Sequence, residues 1–192
     1  MKSFYLSLIV ALLVSCNSSP KVLSEIEKEK YIALGNKITT ETQKFLLMNV
    51  SEKIKEVGFA GAVDFCNENA VKLTNSLADN TFEIKRLSNK NRNRSNKISS
   101  EIDQKAWKKI SVLMKDSSKP EKHLLLEDND KVYYYKAIPL GMPTCLVCHG
   151  SKQDEIPAEV QQIIATKYPD DKATDYKMGE LRGIWKMTFE RK

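Results

Sequence analysis

The chain has 192 residues, 41% of them hydrophobic and 29% charged, with 31 Lys and Arg against 25 Asp and Glu for a formal net charge of +6. That apolar share supports one domain with a real core and excludes a disordered chain. The lysines are spread along the sequence rather than gathered, which argues against nucleic acid as a partner and suits solubility beside an anionic membrane.

Residues 1–15 read as an export signal. Lys2 is the only charge, Phe4 to Val14 is almost wholly apolar, and the run is too short to span a bilayer. Ser15 followed by Cys16 resembles the lipobox of bacterial lipoproteins, so the mature chain is expected to begin at a lipidated Cys16. Residues 16–28 are polar around Ser18-Ser19-Pro20 and predict a tether. Residues 29–192 form the expected single domain, held in the periplasm at the membrane of a bacterium, with the outer membrane as the expected site.

From about Ser24 to Val57, Ile26, Tyr31, Leu34, Ile38, Phe45, Met48 and Ile54 recur at helical spacing, predicting a long amphipathic helix with a break near Gly35. A second helix is expected over Phe59–Leu77, where Ala62, Phe65, Cys66, Ala70 and Leu73 share one face. Cys66 then points inward beside small alanines, leaving room for something flat and bulky. Phe82–Leu87 alternates like a half-buried strand, and a basic loop, residues 88–100, follows with Lys90, Arg92, Arg94 and Lys97. Glu101 to Met114 returns to helical spacing. His123–Glu127 and Val132–Ile138 predict a hairpin turned by Asp128-Asn129-Asp130, with Tyr133, Tyr134 and Tyr135 placing rings on both faces of its second strand. Pro157 to Tyr168 predicts a short helix and Leu181 to Phe189 a last strand. The expected fold class is α+β, with N-terminal helices packed on a small antiparallel sheet.

The most informative motif is Cys145-Leu146-Val147-Cys148-His149. In the spacing C-x-x-C-H two thiols can add to the two vinyl groups of a haem, and the next histidine can reach the iron. A zinc site would need more ligands, and a thioredoxin-type pair would not need His149. Export also carries the motif to the compartment where bacteria attach haem to cysteine. One covalent haem c is therefore the expected cofactor, with Cys145 and Cys148 as its attachment points and His149 on the iron. The opposite axial position is open to Cys66, His123 or one of Met48, Met114, Met142, Met178 and Met187. A methionine would raise the reduction potential, whereas a thiolate would favour ferric iron.

Several stretches together resemble the Tll-like single-haem c domain family, periplasmic members of the wider cytochrome c group. They are Gly58-Phe59-Ala60-Gly61-Ala62-Val63-Asp64-Phe65-Cys66, Arg86-Leu87-Ser88 with Arg92-Asn93, Tyr134-Tyr135-Lys136-Ala137-Ile138-Pro139 leading into Cys145–Gly150, Tyr168-Pro169-Asp170-Asp171-Lys172-Ala173, and Gly179-Glu180-Leu181-Arg182-Gly183. The resemblance covers roughly residues 30–190. It implies a PAS-like sheet domain and Cys66 as the axial ligand opposite His149. Family members tend to continue the Arg-Asn of the basic loop with proline, whereas here Arg94 and Ser95 follow Asn93. Arg86, Arg92 and Tyr135 are candidate contacts to the haem propionates.

The resemblance, and the weak bond expected between a thiol and ferrous iron, point to a redox or small-ligand sensor responding to nitric oxide or carbon monoxide and signalling through another protein. The alternative is a periplasmic single-haem electron-transfer cytochrome with a redox partner. An enzyme such as a peroxidase is not expected, because two protein ligands block the iron and no distal acid–base pair is evident.

Overall fold

The computed structural model describes residues 22–128 and 130–191, so the expected signal peptide, the lipidated Cys16 and the turn residue Asn129 lie outside the described residues. Eight elements follow in order: α1 (Glu25–Asn75), β1 (Phe82–Leu87), α2 (Glu101–Lys115), β2 (His123–Asp128), β3 (Lys131–Pro139), α3 (Leu146–His149), α4 (Ala158–Lys167) and β4 (Leu181–Glu190). The four strands form one antiparallel sheet in the order β1-β4-β3-β2. This is the expected α+β class.

Strand alternation assigns the two faces of the sheet. Phe82, Ile84, Val132, Tyr134, Trp185, Met187 and Phe189 form a core with Leu23, Ile38 and Leu46 of the N-terminal segment. On the other face Leu87, Tyr135, Ala137 and Ile184 pack against Ala106 and Ile110 of α2. Helix α1 therefore covers one face and α2 the other, each burying its apolar stripe.

Helix α1 begins earlier than the predicted tether allows. Ser24 closes a capping box with Glu27, its hydroxyl accepting from the Glu27 amide at 3.3 Å while the Glu27 carboxylate takes the Ser24 amide at 2.8 Å. Leu23 just before it is 4% exposed in the core, so residues 23–28 belong to the folded part.

The break in α1 falls at Gly58, between the two helices expected to end at Val57 and to start at Phe59, and not near Gly35. Gly58 has φ 72° and ψ −179°, a conformation that only glycine adopts cheaply, and it divides α1 into two helical parts. Gly35 is regular helix. A Cβ there would lie 2.3 Å from Cγ of the buried Tyr134 ring, so glycine is needed for the close approach of α1 to the sheet. The second part of α1 carries Val63 into a separate cluster with Ile156, Val160, Ile164 and Tyr168 from α4 and its flanks.

Candidate functional site

A cavity of about 970 Å³ is lined by both parts of α1 together with the adjoining ends of β1, β3 and β4. That is at the upper end of the ~300–1,000 Å³ usual for small-molecule sites. Its wall includes Cys66, Cys145, Cys148 and His149 together with Arg86, Arg92 and Arg182. Residues scattered over more than a hundred positions thus meet at one surface. Among the described residues no three His, Cys, Asp or Glu side chains converge closely enough to hold a bare metal ion. The thiols and the imidazole border a large space rather than a point.

The C-x-x-C-H segment is built as a 3-10 turn, Pro143–Cys145, running into the single turn of α3. The Gly150 amide closes that turn on the Leu146 carbonyl at 2.8 Å. Residues 173–176 lie alongside it: the Tyr176 amide donates to the His149 carbonyl at 3.0 Å and the Asp175 amide to the Gly150 carbonyl at 2.7 Å. His149 Nδ1 sits 2.8 Å from the Ala173 carbonyl. A carbonyl can only accept, so Nδ1 carries the proton and Nε2 keeps its lone pair. Burial, aided by Arg182 and Arg92, holds His149 well below the usual histidine range, so the ring is neutral, as a ligand must be.

Burial also pushes the Cys148 thiol up to about 11 and Cys66 above its ordinary value, although Arg86 and Arg92 pull Cys66 back. A catalytic dithiol needs a lowered thiol pKa, so the surroundings of Cys148 do not suit thioredoxin-type exchange.

The arginines divide by what they touch. Arg92 is committed: Nε donates to Asp171 Oδ1 at 3.1 Å, and Nη2 to Asp171 Oδ2 at 3.2 Å and to the Cys148 carbonyl at 2.6 Å. Its Cζ lies 5.9 Å from the centre of the Tyr168 ring. The basic loop is therefore pinned to residues 170–173 at this point rather than solvated. Arg86 and Arg182 differ. The Nε of each is buried without a hydrogen-bond partner, and among the described residues neither makes an ion pair. Arg182 Nη1 reaches only the Ser88 hydroxyl at 3.4 Å and the Lys90 carbonyl at 3.3 Å. Both guanidiniums are pulled below their ordinary pKa chiefly by burial, and both stay cationic at neutral pH. Buried cations with orphaned donors at a cavity wall call for an anionic occupant. The donor set as a whole fits a haem: two thiols, an imidazole with a free Nε2, a further sulfur, and cations for two carboxylates.

One expected contact needs correction. Tyr135 does not line the cavity; its alternation sends it to the α2 face, where its hydroxyl donates to Asp103 Oδ1 at 2.6 Å. Arg92 lines the cavity as expected, with Nε and Nη2 held by Asp171 and the Cys148 carbonyl, and Arg182, absent from the expected set, presents a free donor beside it. Of the alternative axial ligands only Met48 and Met142 border the cavity. Met187 is buried beneath α1, Met114 of α2 packs on the core between that helix and the sheet, Met178 is exposed, and His123 stacks on Tyr134 at 5.5 Å beside Glu121. Trp185 of β4 is core, 2% exposed.

The model of the Tll0287-like family matches residues 20–189 of the chain. Among solved structures, the crystal structure of the cyanobacterial heme-protein Tll0287 superposes with a TM-score of 0.61 at 19% identity, covering 88% of this chain and 98% of that one. At that identity the match establishes a shared fold. No curated protein matches the chain.

Proposed function

The chain belongs to the Tll0287-like family, and on that premise we propose that it is a c-type haem protein whose cavity serves as a redox or small-ligand sensing module. The observation that carries the reading is the pair of guanidiniums, Arg86 and Arg182, each with a buried Nε that has no hydrogen-bond partner and no ion pair among the described residues, bordering one cavity with Cys145, Cys148 and His149. Cys145 and Cys148 would anchor one haem covalently, His149 Nε2 and Cys66 Sγ would be its axial ligands, and Arg86 and Arg182 would meet its propionates. The group itself would supply a one-electron iron couple and a coordination position that a diatomic gas such as nitric oxide or carbon monoxide could take. The chain's own part is to keep the His149 lone pair free, to hold Cys66 beside small Ala62 and Ala70, and to neutralise the carboxylates.

Met48 and Met142 at the same wall support a second reading, a single-haem electron carrier in which a thioether replaces Cys66. In either case Cys16 would carry lipid and hold the domain at the periplasmic face of a membrane, with the outer membrane our expectation, and the signalling or redox partner is a protein of that compartment. No catalytic turnover is proposed.

The test is expression with haem-attachment machinery, followed by spectra of wild type and Cys66→Ala. Haem should resist acid-acetone extraction and be lost in Cys145→Ser/Cys148→Ser. The ferric electron paramagnetic resonance signal should change in Cys66→Ala, and the reduced wild type should take up carbon monoxide. Extractable haem would overturn covalent attachment. A ferric signal of His/Met type, unchanged in Cys66→Ala, would move the assignment to the electron carrier.

A further inference from the structure

We propose that the buried Arg92–Asp171 pair is a positioning device for His149: by fixing the Ala173 carbonyl on the imidazole Nδ1–H, it sets how strongly His149 donates to an iron in the cavity. The inference rests on the haem reading above, but every part of it is a residue of this chain.

The imidazole's Nδ1–H meets one acceptor, the Ala173 carbonyl at 2.8 Å. Ala173 is itself anchored, because its amide donates to Asp171 Oδ1 at 2.9 Å. Asp171 is gripped in turn by the Arg92 fork, with the two side chains only 6% and 10% exposed. The same guanidinium donates to the Cys148 carbonyl at 2.6 Å, one residue before the imidazole, and approaches the Ala173 carbonyl at 3.4 Å. One side chain, 56 residues from Cys148 and 81 from Ala173, thus reaches both the backbone that carries the ring and the carbonyl that takes its proton.

A loop staple alone would not need that arrangement. The neighbouring Arg94–Asp170 pair already ties the same two loops at the surface, where ion pairs contribute little. A buried pair with bidentate geometry costs desolvation and is useful where geometry must be held. A hydrogen bond from a ligating histidine to a carbonyl raises the basicity of the other ring nitrogen. Loosening Ala173 should therefore make His149 a weaker donor, destabilise ferric iron and raise the reduction potential. Loss of the Arg92 charge as such would act in the opposite sense, since a nearby cation disfavours ferric iron.

The opposed signs make the test decisive. Arg92→Lys keeps the charge and loses the fork. The first readout uses the haem-free protein: ¹⁵N spectra of His149, assigned against His123→Gln, taken well above the histidine titration range. Wild type should show the single Nδ1–H tautomer, and Arg92→Lys and Asp171→Asn a mixture; one tautomer retained in both variants overturns the proposal. The second readout is the midpoint potential of the haem-loaded protein. Arg92→Lys should raise it by up to a tenfold change in the reduction equilibrium, about 59 mV for one electron. An unchanged or lowered potential overturns the proposal. If wild type carries no haem, the functional reading falls while the tautomer spectra still decide this one. Asp171→Asn preserves shape and one acceptor oxygen while losing the charge and half of the fork, so it serves if Arg92→Lys does not fold.

Discussion

Replacing Arg86 by methionine should have opposite effects on the haem-free and haem-loaded protein. Arg86 lies at the inner end of β1, on the sheet face that α1 covers, with its Nε buried and unpaired. Its nearest titrating neighbours are Cys66 and Tyr168. Burial pushes Tyr168 up to about 12 and Cys66 above its ordinary value, so neither offers a counter-charge at neutral pH. A buried donor without a partner costs about 1–3 kcal/mol. Methionine keeps most of the apolar stem, and a swap of similar volume costs less than about 1.5 kcal/mol. The haem-free variant should therefore gain about 1 kcal/mol, which moves Tm up by about 2–4 °C for a chain of this size. In the loaded protein the same substitution removes a charge-assisted hydrogen bond to a carboxylate, a loss of about 1.5–3 kcal/mol. The assay is denaturant unfolding of wild type and Arg86→Met, each made with and without the attachment machinery. A destabilised haem-free variant would refute the claim that Arg86 is held in an unfavourable state. Equal gains in both forms would show that no anion meets it.

Three further outcomes are expected. Gly35→Ala should lower stability by about 1–2 kcal/mol in denaturant titration, because driving a Cβ into the buried Tyr134 ring outweighs the helix propensity gained. Gly58→Ala meets open space yet must adopt φ 72°, so it should lose about 1–3 kcal/mol through backbone strain alone, and a neutral result would mean that α1 can straighten. Burial alone would raise the Asp103 pKa, but hydrogen bonds from Lys186, Ser100 and Tyr135 and the Lys186 charge bring it below the ordinary value. A carboxylate depressed in the folded state contributes stability above its unfolded pKa of about 3.9 and loses it as pH falls through the folded value. Unfolding midpoints should therefore drop below about pH 4. Asp103→Asn should flatten that drop while costing about 3 kcal/mol at neutral pH, since it leaves the Lys186 ammonium buried without its partner.

Much of this fold is legible in the sequence because its signals are local. Strand alternation, the Asp-Asn-Asp turn and helical spacing found every strand and every helix outside the C-x-x-C-H segment, where attachment chemistry rather than periodicity marked the site. What escaped depends on distant partners. The division at Gly58 was legible, since the helical spacing ends at Val57 and resumes at Phe59, but Gly35 owes its place to Tyr134, about a hundred positions away, and so read wrongly as a break. Alternation placed Tyr134 and Tyr135 on opposite faces but could not say which face α1 would cover, and Tyr135 turned out to point at Asp103. Arg182 was one basic residue among 31 until β4 paired with β1 and brought it beside Ser88 and Arg92.

The two faces of the sheet treat buried charge differently, and that contrast is the strongest physical reason to expect an anionic ligand. Beneath α2 the charges are closed: Lys186 Nζ meets Asp103 Oδ1 at 2.8 Å, Tyr135 donates to the same oxygen, and Lys186 lies 4.8 Å from the Tyr133 ring centre. At the cavity Arg92 has Asp171, but Arg86 and Arg182 have no carboxylate among the described residues. Each leaves a buried donor unsatisfied, at about 1–3 kcal/mol, a sizeable fraction of the stability of a domain. Two unpaired guanidiniums match the two propionates of one haem in number and in hydrogen-bonding character. A neutral apolar ligand of the same size would fill the space and leave both charges where they are.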